Sequence, residues 1–379
     1  MHERSVGDDV TTETFAIVAG GGTAGHVLPG LAICRALVAR GHAVDAIRYV
    51  GSERGLEARL VPEAGFPLTL LPGRGIQRRL SLANLGATVG ILRAIVTAVG
   101  LVRRLRPSVV VALGGYASVP CALAAVVLRV PVIVAEQNAV PGAANRLVGR
   151  FARACAVSFP GTPLPRPVVT GNPVRPEVLA VDRDRDGPGA RAALGVALDR
   201  RLVLVFGGSL GALRINRATV ELAARWAGRA DVAVHHVVGA RDWDAITATT
   251  PDLAAGGLAY RAVRYETDMP RALAAADIAV CRSGSGTCFE LAAVGLPAVL
   301  VPSPVVTGDH QRANARHLAQ AGGAVVVEDA ELDGARLAAE LDAVLGAPDR
   351  LAALAAGVRT LARPDAADAV AALAEQHAR

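Results

Sequence analysis

The chain has 379 residues, more than one hydrophobic core usually spans, and 52% hydrophobic against 20% charged residues excludes disorder and favours two globular domains. It has no lysine, so all 40 basic side chains are arginine, and a lysine-dependent phosphate loop, a Schiff base and pyridoxal chemistry are excluded. A net charge of +6 invites a nucleic-acid partner, but only 3% aromatic residues and no basic, aromatic-rich strand speak against one, and five cysteines without a C-x-x-C pair suit a reducing compartment.

The first residues, through Thr14, are polar and carry Glu3, Asp8, Asp9 and Glu13, so no secretory signal is expected there. Short β-type runs are predicted at 15–19, 44–50, 109–113, 132–134 and 155–158, then at 202–206, 232–238, 278–280 and 298–301, with helix-length segments between them. Such alternation implies βαβ units and mainly parallel sheets.

The first run leads into Gly20-Gly21-Gly22-Thr23-Ala24-Gly25-His26 and then a helix, with Pro29 expected in its first turn and Gly41 as its stop. Backbone N–H groups at such a helix start favour an anion, and the Thr23 hydroxyl can add a hydrogen bond. His26 closes this loop. A neutral imidazole facing a cleft suits removal of a proton from a sugar hydroxyl, although a histidine can also merely cap a turn. The loop is not a clean G-x-G-x-x-G with an acid at the next strand's end, because Asp45 falls at a strand's beginning, so nicotinamide binding is disfavoured.

No acid occurs between Glu63 and Glu136, a stretch that carries Arg74, Arg78, Arg79, Arg93, Arg103, Arg104, Arg106 and Arg129. An ordinary solvated helix is one reading. The sharper one is a face for an anionic membrane formed by Arg74, Ile76, Arg78, Arg79, Leu80, Leu82 and Leu85. The uncharged runs 107–128 and 291–308 hold Gly114-Gly115, Pro120, Pro297, Pro302 and Pro304, so they read as buried strands joined to helices and not as membrane spans.

Glu136-Gln137-Asn138 follows a predicted strand, which puts Asn138 at a carboxyl end where doubly wound folds bind ligands. Gly171-Asn172-Pro173-Val174-Arg175 lies just before a charged, Gly- and Pro-containing stretch at 181–190 that reads as a linker or exposed loop. Arg175 is placed to meet a diphosphate across an interdomain cleft. The domain boundary is expected at 173–185.

The strand at 202–206 runs into Gly207-Gly208-Ser209-Leu210-Gly211-Ala212, which repeats the pattern of the first loop about half a chain later. Two similar Rossmann-like domains in tandem follow from that repeat. A third segment, Arg282-Ser283-Gly284-Ser285-Gly286-Thr287-Cys288-Phe289-Glu290, opens another helix, and Glu290 in its early turns can accept two hydrogen bonds from a ribose diol. Asp309-His310-Gln311 opens one more. The Ala- and Leu-rich residues 330–379 read as helices, a tail of the kind that can pack back on the first domain. No paired-carboxylate motif stands beside a strand–loop junction, so neither metal nor cofactor is expected.

Taken in order, GGTAGH (21–26), LGGYAS (113–118), EQNAVPG (136–142), GNPVR (171–175), GGSLGA (207–212), CRSGSGT (281–287) with Glu290, and DHQRANA (309–315) resemble the bacterial MurG family over residues 20 to 320. The resemblance implies an α/β GT-B fold, two Rossmann-like doubly wound parallel-sheet domains facing across a cleft. Residues 1–178 would be an acceptor- and membrane-binding domain and 179–379 a UDP-sugar-binding domain. It implies an inverting transferase at the cytoplasmic face of the cell membrane. Such an enzyme moves N-acetylglucosamine from UDP-N-acetylglucosamine to undecaprenyl-pyrophosphoryl-N-acetylmuramoyl-pentapeptide (lipid I), forming lipid II for peptidoglycan. By the same resemblance Ser209, Ser285, Gly286, Thr287 and Cys288 would contact the diphosphate, Phe289 would belong to the same donor-binding segment, and Glu290 would take the ribose. The backbone at Glu266 would meet uracil, and Gln311 the transferred sugar. Thr23, Ala24, Gly25, Asn138 and Arg175 would complete the cleft, with His26 as the base. Departures are Ala135 where the family often has His, Leu210 where it often has Gln, and His310 where some members have a second Gln. A related transferase with another glycolipid or small acceptor, a UDP-N-acetylglucosamine 2-epimerase of similar architecture, and a non-catalytic sugar-nucleotide binder are the competing readings.

Overall fold

A computed structural model describes residues 13–53, 55–72, 83–207, 212–253 and 256–379, without the side chains of 83–89, 91, 92 and 307. Two parallel sheets carry the chain. The first has seven strands in the order β3-β2-β1-β4-β5-β6-β7: β1 (Ala16–Gly20), β2 (Ile47–Ser52), β3 (Leu68–Leu71), β4 (Val109–Gly114), β5 (Val132–Glu136), β6 (Ala154–Val157) and β7 (Pro167–Val169). The second has six in the order β10-β9-β8-β11-β12-β13: β8 (Arg201–Phe206), β9 (Val232–Val237), β10 (Ala259–Val263), β11 (Ile278–Cys281), β12 (Ala298–Leu300) and β13 (Ala324–Val326).

In both sheets the strand order reverses beside the first strand, between β1 and β4 and between β8 and β11. A crevice opens at such a switch point beyond the carboxyl ends of the strands. The strands form because they are runs of Val, Ile, Leu and Ala that helices cover on both faces. Every residue of Val109–Gly114 is buried. The covering helices show the complementary pattern. Leu213–Arg225 buries Ile215, Ala218, Thr219, Leu222 and Ala223, one stripe at helical spacing.

Several expectations change in detail. Residues Val44–Ala46 form a short 3-10 turn, and β2 begins only at Ile47. Pro29 stands at the sixth position of the helix Ala24–Ala39, not in its first turn, because the glycine loop is tight enough for the helix to start at Ala24. The stretch read as a linker is the helix Arg183–Leu194. Asp182 caps it by accepting from the N–H groups of Asp184 and Arg185, and Asp184 and Asp186 in its first turn suit the helix dipole. Gly187 packs toward the Ala274 carbonyl, where an added Cβ would come within 3.3 Å. Tertiary packing outweighs the low propensity of its glycines and Pro188.

Among the described residues no helix is long and apolar enough to cross a membrane. The uncharged runs contain β4 with the helix Ser118–Val127, and the end of the helix Ser285–Val294 with β12. After the helices Gly334–Leu345 and Pro348–Arg359, the chain returns to the first sheet. Val370, Ala371 and Ala374 of the helix Ala366–His377 join the core formed by β1, β2 and β4. Arg40 pairs with Glu375 at 2.7 Å and with Asp368 at 2.8 Å, and the His42 ring with Glu375 at 2.9 Å, securing this return.

Candidate functional site

The site forms where the carboxyl edges of the two sheets meet. Asn314, on the helix His310–Gln320, links them. Its amide nitrogen donates to Asn138 Oδ1 at 3.2 Å and to the Ser283 carbonyl at 3.1 Å, while its Oδ1 accepts from the Ala139 N–H at 2.9 Å. The loop after β5 thereby touches the loop after β11. Behind Asn138 stands buried Glu136, which accepts from the N–H groups of Asn138 at 2.9 Å and Gly142 at 3.0 Å and from Asn145 Nδ2 at 2.9 Å.

On the first domain, Thr23 precedes the helix Ala24–Ala39 with extended dihedrals, and His26 is that helix's third residue. The Thr23 hydroxyl lies 3.4 Å from His26 Nδ1. Gly114 and Gly115, both at positive φ, cross directly under the loop. A Cβ at Gly114 would stand 3.2 Å from His26 Nε2, and one at Gly115 only 2.5 Å from the Gly21 carbonyl oxygen. Only glycines let the two switch-point loops approach so closely. Burial pulls the His26 imidazole below its ordinary value. Glu136, the Gly21 carbonyl and Glu57 oppose that, and His310 across the cleft adds to it. The ring is therefore neutral at neutral pH and able to accept a proton.

On the second domain, the helix Ser285–Val294 follows Gly284, an extended N-cap with no side-chain cap. No heavy atom lies within 4 Å of where a Cβ would stand on Gly284 or Gly286, so this helix start opens into the cleft. Its first N–H groups, at Ser285, Gly286 and Thr287, are unpaired by the helix itself. Cys288 differs, since its N–H already donates to the Gly284 carbonyl at 2.9 Å. The Cys288 and Phe289 side chains are buried, and Phe289 meets Phe159 edge-on at 5.0 Å across the domain junction. These two residues pack the helix in place and present no side chain to a ligand.

Glu290 faces the first domain. Arg175 Nε and Nη2 both donate to its Oε1, at 2.9 Å and 2.8 Å, which leaves Oε2 to another donor. Burial pushes the Glu290 carboxyl up, and the Arg175 guanidinium opposes that shift. Gln311 accepts from the Ser303 N–H at 2.8 Å, and its backbone carbonyl accepts from the Ser283 hydroxyl at 2.8 Å. This orients its NH2 group as the remaining donor. The Glu266 side chain turns inward, accepting from His235 Nε2 at 2.8 Å and from the Asp268 N–H at 2.8 Å.

Thr23 and Gly25 are exposed and Ala24 half-buried at the first helix start. Ser209 lies outside the described residues, as do Arg74, Ile76, Arg78, Arg79, Leu80 and Leu82, and the Leu85 side chain is likewise undescribed. Sequence reasoning missed Glu57, Asn145, Asn216 and the bridging role of Asn314. Asn216 accepts from the His236 ring at 3.0 Å and donates to the Val238 carbonyl at 3.0 Å, bracing the helix Leu213–Arg225. Burial pulls His236 down to about 3, so it acts as a neutral strut. An isolated polar residue on an apolar helix face is the signal that marks Asn145, Asn216 and Asn314. Among the described residues no three His, Cys, Asp or Glu side chains stand together as a metal site.

Comparison with known proteins agrees with this layout. The model described as the glycosyltransferase family 28 N-terminal domain matches residues 16–157, and that of the family 28 C-terminal domain matches residues 202–370. The chain is 38% identical over 365 residues to a protein of Desulforudis audaxviator, covering 93% of this chain and 96% of that one. It is 41% identical over 366 residues to one of Salinibacter ruber, covering 95% and 96%. Both are named UDP-N-acetylglucosamine–N-acetylmuramyl-(pentapeptide) pyrophosphoryl-undecaprenol N-acetylglucosamine transferase. The crystal structure of Acinetobacter baumannii MurG superposes with a TM-score of 0.78 at 28% identity, covering 96% of this chain and 99% of that one.

Proposed function

The chain belongs to glycosyltransferase family 28, and from that premise we infer how its cleft moves N-acetylglucosamine from UDP-N-acetylglucosamine to lipid I, giving lipid II for peptidoglycan synthesis. The observation that carries this reading is the Arg175–Glu290 pair beside the open helix start at Ser285. A diphosphate on the N–H groups of Ser285, Gly286 and Thr287 meets the positive end of the helix, with Ser209 as a further donor. Glu290 Oε2 then takes a ribose hydroxyl, and the Arg175 guanidinium lies within reach of the phosphates. Uracil rests on the backbone beside Glu266, and Gln311 holds the hydroxyls of the sugar.

The acceptor enters along the first domain, past Thr23, Ala24, Gly25 and Asn138. Its sugar hydroxyl attacks the anomeric carbon from the face opposite the leaving diphosphate, so configuration inverts. His26 takes the hydroxyl proton as the new C–O bond forms and the bond to UDP breaks. The helix start and Arg175 stabilise the charge that grows on the departing diphosphate. Because the acceptor is anchored in lipid, the first domain works peripherally at the cytoplasmic leaflet. Arg74, Ile76, Arg78, Arg79, Leu80, Leu82 and Leu85 are the contact we propose.

The test is transfer of labelled sugar to a soluble lipid I analogue from UDP-, ADP- and GDP-linked N-acetylglucosamine. Rapid transfer from the uridine donor alone is expected. Equal use of all three donors, or release of free sugar without transfer, would overturn the reading.

A further inference from the structure

Glu57 is the first residue of the helix Glu57–Glu63, has no solvent exposure, and has no part in the transfer described above. The chain is built around its carboxylate. Oε1 accepts from the Ser52 N–H at 2.7 Å and the Ser52 hydroxyl at 2.8 Å, and Oε2 accepts from the Gly22 N–H at 3.0 Å. A Cβ at Gly21, Gly51 or Gly55 would overlap the Glu57 side chain in each case. Three glycines, one in the loop after β1, one in β2 and one in the turn after it, thus make room for one carboxylate at the first switch point.

This places an internal anion against the first glycine loop. The space at the helix start by Gly284 and Gly286, by contrast, is open. The second domain keeps its helix start for a ligand's phosphates. In the first domain a buried side chain already occupies the N–H at Gly22.

The N–H that Glu57 holds is one edge of the peptide plane between Gly21 and Gly22. The opposite edge of the same trans plane is the Gly21 carbonyl, which stands where a Cβ on Gly115 would come within 2.5 Å and which favours the protonated His26 ring. Gly22 at φ +94 turns that plane into a conformation L side chains rarely adopt. We propose that Glu57 is a positioning residue for His26. Its carboxylate fixes the Gly21–Gly22 peptide, and with it the Gly21 carbonyl and the start of the helix Ala24–Ala39 that presents the His26 ring to the cleft. A buried carboxylate that orients a catalytic imidazole directly is a known device; here one peptide plane stands between them. The proposal rests on the reading of His26 as the base. The charged and titratable groups facing the ring are Glu57, Glu136 and His310, and the first two favour its protonated form.

Glu57→Gln keeps the volume but sets an NH2 group where two backbone N–H groups and one hydroxyl converge on the carboxylate, so it frees the peptide plane. The variant should lose roughly 10- to 100-fold in kcat, the usual scale for an outer partner of a functional group. KM for UDP-N-acetylglucosamine should stay unchanged. The His26 midpoint, followed by NMR with its signal assigned from His26→Gln, should move to lower pH. A wild-type midpoint in Glu57→Gln overturns the proposal even if activity falls, because a merely structural role moves kcat without moving the titration. In the wild type, the Gly22 amide proton should resonate far downfield and shift with the His26 midpoint. A Gly22 amide blind to that titration also overturns it, and this measurement decides alone if the variant does not fold. Normal turnover in His26→Gln would end the reading of His26 as base, whereas the NMR titration tests the link between Glu57 and the ring separately.

Discussion

Replacing Arg175 by Ala tests the cleft at the contact that joins its two walls. In the folded protein the guanidinium gives two hydrogen bonds to Glu290 Oε1, at 2.9 Å and 2.8 Å, with side-chain exposures of 32% for Arg175 and 19% for Glu290. A fully buried pair that loses one partner costs about 3–5 kcal/mol, and partial exposure lowers that here. Loss of one charge-assisted hydrogen bond to the donor diphosphate costs about 1.5–3 kcal/mol, which raises the Kd for UDP-N-acetylglucosamine roughly 10- to 100-fold. The pH dependence changes as well. Burial raises the Glu290 carboxyl and Arg175 restrains it, so removing Arg175 raises it further. For an acid shifted upward, ionisation in the folded state costs stability above the folded value, and that cost vanishes as pH falls below the unfolded value. Arg175→Ala should therefore lose donor affinity at a higher pH than the wild type as the solution is acidified, because Glu290 takes up its proton sooner. Isothermal titration calorimetry across a pH series gives both quantities. In a double-mutant cycle with Glu290→Gln the two effects should be non-additive. An unchanged donor Kd with an unchanged pH profile would refute the idea that this pair organises the donor site.

His26→Ala should lower turnover by roughly 10²- to 10⁴-fold while leaving donor affinity nearly intact, since the ring belongs to the other domain. The wild-type rate should stay flat on acidification until below the ordinary imidazole value, following the burial that depresses this ring, and a fall above that value would contradict the assignment. Binding to anionic vesicles should weaken with salt and drop sharply in the combined Arg74, Arg78 and Arg79 to Ser variant, at about 1 kcal/mol per arginine near the surface, with donor affinity preserved. Wild-type protein that ignores such vesicles at low salt would remove this stretch from the membrane account.

Much of this protein was readable from local sequence. Alternating Val-rich runs and helix-length segments determine parallel sheets, because a strand buried on both faces needs apolar residues throughout and a crossover needs a helix. Two glycine loops spaced by half the chain reveal tandem domains. Arg175, Asn138 and His26 stand out as candidates because each lies beside a strand end or at a helix start, and Glu290 because it lies in the second turn of such a helix. The strands β3, β7, β10 and β13, three to five residues each, were not legible, since runs so short show no period until a neighbouring strand pairs with them. Nor was the helix Arg183–Leu194, whose glycines and proline read as a linker until the helix Met269–Ala275 packs on it. Only tertiary structure decided that Arg175 grips Glu290, separated by 115 positions, and that Asn314 joins the two loops. It also decided what becomes of the glycine-rich helix starts. Each promises an anion site in sequence, but whether a helix start is open depends on what folds against it. At the first glycine loop the Glu57 carboxylate of the helix Glu57–Glu63 already holds the Gly22 N–H, whereas the start by Gly284 and Gly286 is open.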